Sequence, residues 1–128
     1  MKFFIALALA AGGLIVSVPL SAHHGDAVYD TTAKAITMKG TVTQWVWANP
    51  HCVLQFDVSD NGQVAHWVAE TTAPPSLINR GWTKQSLKPG DQVTITVLPV
   101  KNGRTVGRLL EVVFPDGQKL PRGNGEQN

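Results

Sequence analysis

The chain has 128 residues, with eleven basic against nine acidic side chains and a formal net charge of +2 at neutral pH. So slight a balance, with no run of Lys or Arg, excludes the electrostatic footprint of a nucleic-acid binder. A single cysteine excludes an internal disulfide, and the chemistry open to the chain rests mainly on its four histidines.

Lys2 is the only charge before Asp26, and residues 3–20 are apolar or small throughout. Pro19 then interrupts helix, and Ser21-Ala22 offers small residues where a peptidase must reach the backbone. This is the pattern of a secretory signal peptide over residues 1–22, cut before His23. The rival reading is an uncleaved anchor, since about 18 apolar residues just span a bilayer. Gly12, Gly13, Pro19 and the Ser-Ala exit favour cleavage, although Leu20 is bulkier than the residue preferred three positions before the cut. Cleavage leaves about 106 residues, enough for one small domain. Residues 23–118 are expected to form it, with 23–34 as an N-terminal segment and 119–128 as a loose, glycine-rich tail. The expected location is the periplasm or the exterior, with no membrane contact once the signal is gone.

The mature segments are short, β-rich and punctuated by turns. A leading strand is expected at residues 35–39, broken or bulged at Gly40. Residues 41–47 are β-branched and aromatic and stop at Asn49-Pro50. Residues 51–58 alternate, with Cys52, Leu54, Phe56 and Val58 on one face and His51, Gln55 and Asp57 on the other. Asp60-Asn61-Gly62 is a hairpin signal leading into residues 64–70. Residues 73–81 fit a short helix, with proline at the start and glycine just past the end. Trp82 is expected to plug the barrel end beneath it. Residues 87–91 make a turn feeding the alternation at 93–97. After Asn102-Gly103 comes a last strand at about 104–114, closed by Pro115-Asp116-Gly117. Three strands, one short helix and two strands is the order of a mainly all-β, five-stranded OB-like Greek-key barrel, with the helix between strands 3 and 4. A sandwich with one helix is the runner-up.

His23-His24, Tyr29-Asp30, Gly40-Thr41-Val42, Asn49-Pro50-His51 and Trp67-Val68-Ala69-Glu70 together form a specific pattern. Gly81-Trp82, the Leu87-Lys88-Pro89-Gly90-Asp91 turn and Pro115-Asp116-Gly117 add to it. Through these residues the chain resembles, along nearly its whole mature length, a family of small exported bacterial proteins known only as Domain of Unknown Function 6152. Gly25 stands where the family pattern has serine. The resemblance implies export and a compact β domain, and it brings no activity with it.

A cut before His23 gives one residue both an α-amine and an imidazole. The amine has an unperturbed pKa near 8, so a metal displaces its proton at modest cost. Amine and Nδ1 chelate one ion, and one further imidazole completes a T-shaped set of three nitrogens. That set is similar to the histidine brace of exported copper proteins, and planar nitrogen ligation suits Cu(II). His51, presented by Asn49-Pro50, is the candidate third nitrogen, with His24 beside the terminus as a further donor. Glu70 is a candidate weak ligand or supporting carboxylate, and His66 is a weaker candidate. Against this stands a solvated His pair that binds nothing specific, with His51 bonding its own turn and Glu70 capping the next one. Cys52 is expected to be buried, its alternatives being a metal ligand or an intermolecular thiol. The function that follows is metal handling, with a copper ion as cofactor and a metal-delivery or other envelope protein as partner. The competing function is a metal-free envelope binding module using an outer barrel face and Trp45, Trp47 and Trp67, rings that stack on sugars or bases. Enzyme signatures are absent: there is no Gly-x-Ser-x-Gly elbow, phosphate-binding glycine loop or His-Glu-x-x-His pair.

Overall fold

The computed structural model describes residues 29–121. Alternating side chains build most of it. Strand β1 (Ile36–Val46) pairs antiparallel with both β2 (Val53–Asp60) and β4 (Gln92–Pro99). Strand β3 (Gln63–Glu70) continues from β2, and β5 (Val106–Val113) from β4. A short parallel pairing of β3 with β5, over Val68–Glu70 and Val106–Arg108, closes the sheet on itself. The result is the expected five-stranded OB-like barrel, all-β apart from helix α1 (Pro74–Ile78) between β3 and β4. Among the described residues no helix is long and apolar enough to cross a membrane.

The turns form where their chemistry demands. Asn61 and Gly62 both take positive φ, 50° and 78°, as a two-residue hairpin turn matched to strand twist requires. The turn that stops helix α1 closes at Gly81 (φ 86°), where Gly81 N donates to Ile78 O and Trp82 N to Leu77 O. That bond pair is the glycine-stopped helix end, and it drives Leu77 and Trp82 into the core. Phe56, Leu54, Val42, Ile95, Val97 and Val112 fill the interior with Cys52.

Three features differ from the sequence reading. The leading strand does not break at Gly40; β1 runs through it without interruption. Gly40 is there for space, since a Cβ would lie 2.8 Å from Phe56 Cδ2 and 3.0 Å from Ile95 Cδ1. The irregularity falls instead between Val42 and Gln44. One extra residue there reverses the parity of the strand, so Trp45 pairs with inward-facing Leu54 and packs against the core. The third difference is at the C-terminal end, where Lys119–Leu120 forms a sixth strand, β6, on Val112–Val113 and buries Leu120. The loose tail expected from Lys119 therefore begins with paired backbone. An apolar side chain and a free strand edge beside it outweighed the glycine-rich composition that follows.

Candidate functional site

Strand parity decides which polar groups meet outside the barrel. With Leu54 and Phe56 inward on β2, His51 precedes the strand on the outer side. With Ala69 inward on β3, Glu70 points outward at the strand's end. The closure seam sets Arg108 of β5 directly beside Glu70, the two being register partners. Backbone bonds from Cys52 N to Thr72 O and from Thr71 N to Cys52 O extend the β2–β3 ladder past its end and hold His51 near Glu70.

The side-chain geometry at this corner is well defined. His51 Nδ1 lies 3.0 Å from the Thr71 carbonyl oxygen and 3.7 Å from Glu70 Oε1. A carbonyl only accepts, so Nδ1 is the protonated nitrogen and Nε2 of the neutral ring keeps its lone pair. Among the described residues nothing bonds Nε2. Tyr29 donates its phenol to Glu70 Oε2 at 3.1 Å, and the Arg108 guanidinium lies 4.6 Å from the centre of its ring. Burial and the neighbouring Glu70 carboxylate push the Tyr29 phenol up to about 12, with Arg108 opposing. These groups, with Thr72 and Arg80, line an open cleft of about 300 Å³.

Of the residues singled out from sequence, the structure brings His51 and Glu70 together. His23 and His24 lie outside the described residues. His66 is four positions before Glu70 on the same strand, about 13 Å away at the usual rise. Its Nδ1 is paired instead with Asp57 on the exposed face of β2 and β3. Trp45 and Trp47 pack on each other at 5.9 Å, and Trp45 packs on Trp82 at 5.5 Å, its indole N–H donating to Thr83 O. Trp67 stacks on Phe56. All three sequence-picked tryptophans are half-buried against the core rather than spread on an outer face. Cys52 is fully buried, its thiol 3.8 Å from Ala48 O, and burial pushes its pKa up. Among the described residues no group of three His, Cys, Asp or Glu side chains converges on one point.

The family model described as "Family of unknown function (DUF6152)" matches residues 13–109. The chain belongs to that family. No curated protein and no solved structure matches it. The match spans His51, Glu70 and Arg108, so it takes in β2, β3 and the start of β5 in this DUF6152 chain, including the β3–β5 closure. Sequence reasoning missed Arg108 and Arg80, and it took Tyr29 only as part of a family motif. A signal for Tyr29 was present: a lone tyrosine followed by Asp30, whose carboxylate turns the chain by accepting from Thr32 N and Ala33 N. No local pattern marks Arg108, because its partner is set by a pairing distant in sequence.

Proposed function

We propose that this is an exported metal-handling protein that binds Cu(II) through the amine and imidazole of a processed His23, with His51 Nε2 as the third nitrogen. The observation that carries the reading is the hydrogen bond from His51 Nδ1 to the Thr71 carbonyl. It leaves the imidazole with its ligating nitrogen unprotonated, and the Glu70 carboxylate stands behind Nδ1 at 3.7 Å. Support also comes from the start of the described chain, since Tyr29 lines the same cleft only six residues after His23. His24 is a further donor beside the terminus. The role is copper capture and transfer to a delivery partner in the envelope rather than catalysis. The metal-free alternative through Trp45, Trp47 and Trp67 has less support, because those rings are committed to the core.

The test compares protein beginning at His23 with protein carrying one additional N-terminal residue, each titrated with Cu(II) against a competing chelator. The His23 form is expected to bind tightly and the extended form to lose most of that affinity. Equal, weak binding by both would end the proposal. His51→Ala should weaken binding and change the copper spectrum, Glu70→Gln should cost on the order of 10- to 100-fold, and His66→Ala should change neither.

A further inference from the structure

We propose that Tyr29 is a positioning residue, a latch that fastens the segment leading into β1 across the closure seam and thereby aims the N-terminus at His51. Tyr29 is only 4% exposed although it precedes β1 by seven positions. A side chain buried so far outside its own strand is held by something other than the β1 ladder. Three contacts hold it, each to a different strand end. Its backbone bridges Val100 just past β4, where Asp30 N donates to Pro99 O at 2.9 Å. Its phenol grips Glu70 at the end of β3, and its ring lies against Arg108 of β5.

The carboxylate that receives the phenol on Oε2 is the one whose Oε1 backs His51 Nδ1. Fastening the segment and setting the imidazole therefore share one group. On the other side of the latch, Asp30 accepts from Thr32 N, Thr32 Oγ1 and Ala33 N and bends the chain into β1. The consequence for His23 is a matter of tether length. From Tyr29 the remaining six residues reach at most about 20 Å, whereas from Ile36 thirteen would reach about 45 Å. Effective concentration falls roughly as the −3/2 power of tether length, so the latch raises it about threefold before any gain in orientation. This copper consequence rests on the function proposed above; the latch itself does not.

The test uses metal-free and copper-loaded protein beginning at His23. In the metal-free form, hydrogen exchange of the Asp30 amide reads the latch directly. Tyr29→Phe, which keeps the ring, is expected to speed that exchange about tenfold, the order of one hydrogen bond to a charged acceptor. Tyr29→Ala is expected to speed it further, with amides of β2 and β3 unchanged in both. Unchanged Asp30 exchange in both variants would overturn the latch. Equal loss of protection throughout the barrel would overturn it too, since Tyr29 would then be an ordinary core residue. In the copper form, Tyr29→Ala is expected to weaken Cu(II) binding at least threefold in the parent and not at all in a His51→Ala background. Full additivity of the two substitutions would show that Tyr29 does not act through His51 and would refute the aiming role. If the parent itself binds no copper, the proposed function fails while the exchange measurement still decides the latch.

Discussion

Tyr29 is the sole tyrosine in the chain, so its ionisation can be followed alone as phenolate absorbance near 295 nm, above a background of four tryptophans that do not titrate. In the folded protein burial first, and then the Glu70 carboxylate, push its pKa from 10.0 to about 12. The unfolded chain ionises near 10, so between pH 10 and 12 the native state binds more protons than the unfolded one. Stability therefore falls as pH rises through that window, and it is unaffected by this group below it. The full shift corresponds to roughly 2–3 kcal/mol, most of it lost by pH 12, a large part of the stability of a small domain. The assay pairs absorbance at 295 nm with tryptophan fluorescence, which reports whether the barrel is intact. A native midpoint well above the denatured one is expected, with Glu70→Gln lowering it part of the way because burial remains. A midpoint near 10 while fluorescence is still native would refute the burial and pairing of Tyr29.

Two further outcomes follow from the core. Gly40→Ala places a Cβ against Phe56 and Ile95 and should destabilise the barrel by about 1–3 kcal/mol. Thermal denaturation should show this as a fall of roughly 4–8 °C per kcal/mol, partly restored by Phe56→Leu; an unchanged melting temperature would contradict the packing. Cys52, fully buried and with its thiol pKa raised, should react with a thiol reagent at pH 8 only as fast as the protein opens. Rapid stoichiometric labelling of native protein would be inconsistent with its place in the core.

Local chemistry was legible and long-range placement was not. Asn61-Gly62, the alternation of residues 51–58 and the proline-to-glycine helix were readable because a dipeptide or a period of two decides each within its own span. His51 and Glu70 were identifiable by residue type, and the hairpin between them makes their neighbourhood nearly automatic. The bulge near Gln44 was not readable, because Thr43 is as good a strand residue as its neighbours and only the packing of Trp45 and Leu54 shows that parity has shifted. Gly40 carried a real signal that pointed to the wrong cause: its missing side chain makes room for Phe56 rather than bending the strand. Arg108 and the end of the chain at Leu120 depend on which strands pair, information that no single segment holds.

The closure seam has a consequence for how the molecule assembles. Strands β1, β2 and β3 pair with sequence neighbours, as do β4 and β5, whereas β1–β4 and β3–β5 join distant parts of the chain. Distant pairings carry the larger loop-closure cost, so they form after the hairpins. A chain with its hairpins made but its seam open already has His51 beside Glu70. It has neither the wall supplied by Arg108 nor the strand end on which Tyr29 rests. A ligand of the cleft would therefore bind the finished barrel and not its precursor, and would stabilise it by mass action. Occupancy of the cleft and completion of the barrel are coupled equilibria, each of which can be read by measuring the other.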